Sequence, residues 1–342
     1  MSSSRRPATP HPSAFTWEGR TDGDGAEHRR WHQAVKLGTE QAGAAQQGGA
    51  EADPAAAQAQ LSTTLLGFAS DAGVARNMGR VGAAKGPDAL RKALSSLAYP
   101  SELGGVLDAG DIRVSGDELE DGQADIGAAI AEQLGAGRFV TVLGGGHETA
   151  FGSYLGLAQS GVLEGSPRLG ILNLDAHFDL RLASRPSSGT PFLQIAEAQE
   201  AAGREFHYAV VGISEPNNTR TLFDTAHRLG VRYLTDEECQ GADKDAVVAF
   251  VEGFLEDVDV AYLTIDLDVL PAAVAPGVSA PAGYGVPYDV IRAAALAAAQ
   301  SGKLALLDVV ELNPEFDVDG RTARSAARLI HDVVTRRAPR GV

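Results

Sequence analysis

The run Leu169 to Leu174, LGILNL, shows no polar alternation and stops abruptly at DAHFD, Asp175 to Asp179. So short and continuous an apolar run suits a strand buried on both faces, and such a strand needs helices on both sides of its sheet. The pattern repeats along the chain. Candidate strands are Thr63 to Phe68, Gly105 to Asp108, Phe139 to Leu143, Leu169 to Leu174, Tyr208 to Ile213, Arg232 to Leu234, Val260 to Ile265 and Leu304 to Val309. Amphipathic spacing between them predicts helices over Pro87 to Leu97, Gln123 to Leu134, Glu148 to Ala158, Thr219 to Leu229, Lys244 to Leu255, Tyr288 to Gln300 and Arg324 to Arg336. Strand–helix alternation from Leu61 onward predicts an α/β fold, a three-layer α/β/α sandwich with a mainly parallel central sheet. A closed eight-stranded barrel is the alternative.

The first sixty residues read differently. Ser, Pro and Arg dominate Met1 to Ser13, and Ala42 to Gln60 is almost all Ala, Gly, Gln and acid, with little to bury. We therefore expect an N-terminal extension over 1–60 with a mobile insertion at Gln41 to Gln60, then a single domain over 61–342. An Ala-rich surface helix is the other reading of the insertion, and RRWHQAV, Arg29 to Val35, predicts a short amphipathic helix. Lys plus Arg number 29 against 45 Asp plus Glu, a net charge of −16. That balance argues against nucleic acid or an anionic membrane as partner, because both need a basic footprint. The one cysteine, Cys239, excludes an internal disulfide and a thiolate metal cluster. With no secretory apolar core near Met1 and no long apolar stretch, a cytoplasmic location is expected.

Ligands of open α/β sheets gather beyond the carboxyl ends of the strands. Three candidate strands end there in polar clusters: GGGHE at Gly144 to Glu148, DAHFD at Asp175 to Asp179, and DLD at Asp266 to Asp268. In extended chain alternate residues share a face, so Asp175, His177 and Asp179 would project together, as would Asp266 and Asp268. His147 completes a set of four carboxylates and two imidazoles. Left alone, the carboxylates would repel one another and be costly to desolvate. Two divalent cations remove that difficulty, and oxygen-rich ligands with imidazoles and no thiolate favour Mn²⁺. Such a pair can hold a bridging water and lower its pKa, which implies metal-assisted hydrolysis.

A lone Asp or His at a strand end is usually a cap or turn residue, but two alternating sets plus a histidine after a glycine turn are harder to dismiss. A dinucleotide loop at GGGHETAFG fails because Thr149 occupies the third glycine position, and HEXXH fails because Ala150 and Phe151 follow Thr149. A non-enzymatic Mn²⁺-binding scaffold is the remaining class. His11, His28, His32, His207, His227 and His331 have no comparable setting.

In the order GGGHE, NLDAHFDLR, TIDLDVLP and VVELNP, these motifs make the chain resemble the ureohydrolases, the family of arginase, agmatinase and formimidoylglutamase, from Phe15 to Arg337. The resemblance implies an arginase-like fold and two Mn²⁺ per subunit. One would sit on His147, Asp175, Asp179 and Asp266, the other on Asp175, His177, Asp266 and Asp268. It also implies a homo-oligomer, trimer or hexamer. The segments WEGRTD, RRWHQAV, RNMGRVGAAKGP, SSGTPF and ELNPEFDVDGRTARSAARL resemble the formimidoylglutamase branch most. That branch implies hydrolysis of N-formimino-L-glutamate to L-glutamate and formamide by a metal-bridging hydroxide. A guanidino-acid hydrolase releasing urea is the alternative.

Ser188 stands where arginases and agmatinases carry a histidine, and a serine cannot serve as a neutral-pH acid in its place. This argues against those two activities and leaves Asp268 as the fallback proton carrier. By resemblance Glu311 would bind the substrate's amidine. The substrate's carboxylates want arginine, whose planar fork matches them. Arg181 is the first candidate, with Arg76, Asn77 and Arg80 behind it. A structural salt bridge is the plain alternative for each arginine.

Overall fold

A computed structural model describes residues 7–38, 61–241 and 244–340. The insertion expected at Gln41 to Gln60 lies outside them. The described strands are β1 (Val35–Leu37), β2 (Leu61–Ala69), β3 (Gly105–Arg113), β4 (Phe139–Leu143), β5 (Leu169–Leu174), β6 (His207–Ile213), β7 (Arg232–Thr235), β8 (Val260–Asp266) and β9 (Leu304–Val310). They form one sheet in the order β1-β3-β2-β4-β9-β8-β5-β6-β7. Every pairing is parallel. The sheet is open, with β1 and β7 at its edges, so the barrel is excluded.

Each residue of β4, β5, β8 and β9 is buried, as their unbroken apolar runs require. One face of the sheet packs on helices Leu119–Gly135, Thr149–Gln159, Pro191–Ala201 and Arg220–Arg228 through Ile126, Tyr154, Ile195 and Leu222. The other packs on Gly86–Ser95, Lys244–Glu256, Tyr288–Gln300 and Arg321–Arg336 through Leu90, Val251, Ile291 and Ile330. Three layers result. No helix among the described residues is long and apolar enough to cross a membrane.

Three departures from the sequence reading have physical causes. Not all of the described N-terminal residues are peripheral: Trp31, in the expected short helix (observed at Trp31–Ala34), is fully buried, and β1 pairs with β3. β3 continues past Asp108 to Arg113, because Asp108 and Asp111 are neutralised by the buried Arg91 instead of ending the strand. Helix Pro191–Ala201 adds to the expected helices, with Phe192, Ile195, Ala196 and Gln199 burying one face at helical spacing.

Topology places the site. The chain leaves β4 and returns as β5, while β9 and β8 are later inserted between them. The carboxyl ends of β4, β9, β8 and β5 are therefore contiguous, at the kind of switch point where α/β sheets bind ligands.

Candidate metal centre

Each of these four strands delivers part of one polar cluster. β4 passes through three glycines to His147, β5 runs into Asp175, β8 ends in Asp266, and β9 is followed by Glu311. The glycine turn leaves no alternative residue at Gly145, where a Cβ would lie 1.8 Å from the Ser70 carbonyl oxygen.

The aspartates do not converge by strand alternation. Beyond Leu174 the chain is a loop, with Asp179 at φ 48°, and Leu267–Val269 is a 3₁₀ turn. Asp175 Oδ1 instead accepts the His177 N–H at 2.7 Å, and Asp266 Oδ1 accepts the Asp268 N–H at 2.8 Å. Each leading aspartate thus folds its own turn two residues on. Ala176, Phe178 and Leu180 still face the core.

The six side chains converge. His147 Nδ1 lies 3.1 Å from Asp175 Oδ2, 3.0 Å from Asp179 Oδ2 and 3.1 Å from Asp266 Oδ2. His177 Nδ1 lies 3.4 Å from Asp175 Oδ1 and 3.1 Å from Asp268 Oδ2. One imidazole nitrogen cannot serve three carboxylates, and His147 Nδ1 has hydrogen-bond geometry to none of them; Asp268 Oδ1 is likewise buried without a partner. Two groups have ligand atoms near enough to share an ion: His147, Asp175 and Asp266, and Asp175, His177 and Asp268. Asp175 stands in both, Asp266 in the first, and Asp179 joins through His147. Oxygen and imidazole donors of this kind suit Mn²⁺.

Electrostatics mark the same point. Burial alone would lower the His147 imidazole, but Asp175, Asp179 and Asp266 hold it well above its ordinary value. His177 is raised likewise, by Asp268 and Asp175 against burial. Burial, with Asp268 and Asp175 adding to it, pushes Asp266 well above the usual carboxylate range. A second ring of contacts orients the first. Thr264 Oγ1 sits 3.0 Å from His147 Nε2, and Asn173 Nδ2 donates to Asp175 Oδ2 at 2.9 Å.

A cavity of about 340 Å³ opens over the cluster, lined also by Asn77, Arg80, Arg181, Ser188, Ser279 and Glu311. Glu311 Oε1 accepts the His147 N–H at 2.8 Å, while Oε2 is buried and unpartnered. Burial, with Glu148 and Asp268 nearby, pushes its carboxyl up to about 8. Ser188 Oγ accepts from Asn77 Nδ2 at 3.1 Å. Met78, Asp179 and Glu311, all lining the cavity, have positive φ values of 60°, 48° and 68°. Such strain costs about 1–3 kcal/mol per residue and gathers at functional sites.

The candidate arginines separate. Arg76 is corrected: its guanidinium makes five hydrogen bonds, to the Asp117 and Glu120 carboxylates and the Asp117 and Pro186 carbonyls, leaving no donor for a ligand. Arg80 lines the cavity, but it is a brace. Its Nε donates to the Ser279 carbonyl at 2.9 Å, Nη2 donates to the Val278 carbonyl, and the guanidinium lies 3.9 Å over Phe316. Arg181 is exposed, and among the described residues its guanidinium has no carboxylate within ion-pair distance. Gly189 leaves it room, since a Cβ there would lie 3.0 Å from Arg181 Cδ.

Sequence reasoning missed three supports. Glu148 Oε1 accepts from Ser70 Oγ at 2.7 Å and Gly73 N–H at 2.9 Å, tying the glycine turn to the segment that carries Asn77. Asn313 Nδ2 donates to the Arg80 and Val81 carbonyls at 3.0 and 2.9 Å. Ser279 Oγ accepts the Arg80 N–H at 2.9 Å. The first two lie inside quoted motifs, which was their only signal; Ser279 had none.

Known proteins share this arrangement of chain. The arginase family profile matches residues 61–335. A formimidoylglutamase of Rhodococcus opacus is 57% identical, over 94% of this chain and 96% of its own. One of Rhodococcus jostii is 56% identical over the same shares. The crystal structure of Trypanosoma cruzi formiminoglutamase with Mn²⁺ superposes with a TM-score of 0.72 at 25% identity, covering 81% of this chain and 94% of that one. Profile, relatives and fold agree, and the chain belongs to the arginase family of hydrolases.

Proposed function

We propose that this hydrolase is manganese-dependent and converts N-formimino-L-glutamate and water to L-glutamate and formamide. Identity of 57% to a formimidoylglutamase, over nearly the whole of both chains, carries the choice of substrate. One Mn²⁺ would be held by His147, Asp175, Asp179 and Asp266, and another by Asp175, His177, Asp266 and Asp268. The buried, partnerless His147 Nδ1 and Asp268 Oδ1 support that reading. When bound, such a pair makes hydroxide available near neutral pH.

The chain's own residues do the rest. Glu311 Oε2, buried without a partner, accepts an N–H of the substrate's amidinium, whose charge favours the ionised carboxylate. Arg181 takes a substrate carboxylate with its free guanidinium, and Asn77 and Ser188 line the same wall. Asp268 holds the proton that must reach the departing amino group of glutamate. Breaking that C–N bond leaves formamide, so atoms balance with one water consumed. Residues 61–342 form the catalytic domain in this reading, completed by the arm that supplies β1. The setting is the cytoplasm, and the assembly a trimer or hexamer.

Mn²⁺-loaded protein should release formamide and glutamate from formiminoglutamate and no urea from arginine, agmatine or guanidinobutyrate. Urea from guanidinobutyrate with no turnover of formiminoglutamate would replace this substrate with a guanidino acid. Ammonia with formylglutamate would mean that the opposite C–N bond breaks.

A further inference from the structure

The opposite end of the sheet carries the reverse imbalance. At the amino ends of β4 and β9 lies a cavity of about 390 Å³, bordered by Arg138, Arg337 and Arg340 together with Phe139, Val162 and Leu304. Among the described residues, no acidic side chain lines it. In a chain with 45 acids and 29 bases, three arginines sharing an acid-free hollow is a pronounced departure from the average.

These arginines are also poorly matched. Arg138 is only 6% exposed; its Nη1 donates to Gln133 Oε1 at 2.7 Å, and its Nε is buried without a partner. Gln133 Oε1 already accepts from Thr64 Oγ1 at 3.2 Å, and an amide oxygen carries no full charge to offset the guanidinium. Arg337 is stacked 4.5 Å over Phe139 and, among the described residues, donates only to the adjacent Ala338 carbonyl. Burial, with a smaller contribution from the neighbouring Arg340, lowers its pKa. Among the described residues, none of the three has a carboxylate within ion-pair distance. The tail is nonetheless held in place, since Ala338 N–H donates to the Ala299 carbonyl at 2.9 Å after helix Arg321–Arg336 ends.

We propose that this cavity is a second ligand site, for a small multivalent anion carrying phosphate or carboxylate groups. Arginine forks match both groups, and the volume suits a small metabolite. Phe139, Val162 and Leu304 would cover its apolar part. A buried guanidinium without a counter-charge is costly, and an anion removes that cost. The site stands apart from the substrate reading, since β4 and β9 separate it from the metal cluster.

Calorimetric titration of the full chain with inorganic phosphate and, separately, with glutarate tests this and distinguishes the two chemistries. Saturable binding of at least one probe at one site per chain is expected. Arg337→Gln and Arg138→Met should each weaken it about tenfold or more, and Arg340→Gln several-fold. Should Arg138→Met fail to fold, the exposed Arg340 and the tail residue Arg337 decide the matter. Arg220→Gln, on a remote helix, should change nothing. No saturable binding of either probe overturns the proposal. So does binding that survives Arg337→Gln and Arg340→Gln but vanishes in Asp266→Asn, which would place the anion at the metal end.

Discussion

Two segments of this chain share a vocabulary and differ in outcome. LDAGDIR, Leu107 to Arg113, and LDAHFDLR, Leu174 to Arg181, both follow buried strand residues, and both carry paired aspartates ahead of an arginine. In the first, the cation is built in. Arg91, fully buried, donates to both oxygens of Asp108 at 2.9 and 3.0 Å and to Asp111 Oδ1 at 2.7 Å. Trp17 Nε1 adds a bond to Asp108 at 2.7 Å, and Arg113 one to Asp111 at 3.2 Å. None of these side chains leaves a buried polar atom unpartnered. The second joins His147, Asp266 and Asp268 in a cluster of four carboxylates and two imidazoles, where His147 Nδ1 and Asp268 Oδ1 have no hydrogen-bond partner. The first cluster is complete within the protein. On the function proposed above, the second is completed by cations from outside, and that difference would separate a structural charge cluster from a functional one.

The largest effect is expected at Asp175 and Asp266. Asp175→Asn and Asp266→Asn should each lose manganese by metal analysis and lower kcat/KM about a thousandfold, because several kcal/mol of charge stabilisation goes with the ions. Full occupancy and full activity in both variants would sink the two-ion reading. The complementary change is Arg91→Met. It strands two buried aspartates and should cost about 3–5 kcal/mol in chemical unfolding. Since this cluster needs nothing from outside, the cost should be the same with and without chelator. A cost that disappears in the stripped protein would mean that the two clusters are coupled.

Arg181→Ala sharpens the contrast between arginines that pair internally and one that does not. Losing a charge-assisted pair typically costs about 1.5–3 kcal/mol, so KM for formiminoglutamate should rise roughly ten- to 150-fold with both metals retained. Constants within about twofold of the parent would pass the role to Arg80, whose brace would then have to open. Arg76→Gln should instead lower stability and leave KM in place, because its donors are spent on Asp117, Glu120 and two carbonyls.

Much of this was legible in the sequence, for local reasons. Unbroken apolar runs mark β4, β5, β8 and β9 because each is buried along its whole length, and the polar residues that stop those runs are the ones that converge. What escaped depends on distant partners. Asp108 read as a strand end because Arg91 lies seventeen residues away on a helix. Trp31 read as peripheral because its burial comes from Tyr99 and His331, far along the chain. The alternation argument brought the right residues together by the wrong route. Turn-forming hydrogen bonds from Asp175 and Asp266, which a strand pattern does not represent, set the geometry.

The smallest expected signal is a proton count. In chelated protein, against the effect of burial, neighbouring carboxylates hold His147 and His177 well above their ordinary pKa, which favours the protonated rings. A metal ligand must offer a neutral imidazole, so loading should expel up to about two protons per chain from these rings. The sign for stability follows. Raised folded-state values stabilise the chelated protein below about 6.5, the unfolded value, and that contribution fades as pH rises through the folded values. The loaded protein gains as pH rises, because fewer protons compete for the imidazoles. Its Tm advantage over chelated protein should therefore widen from pH 6 to pH 8. The Arg91 cluster stands in both forms and cancels in that difference, which leaves the gap a reading of the metal end alone. Titrating manganese in two buffers of different ionisation heat gives the proton number directly. A gap that narrows with pH, or loading without proton release, would mean that these histidines are not the ligands.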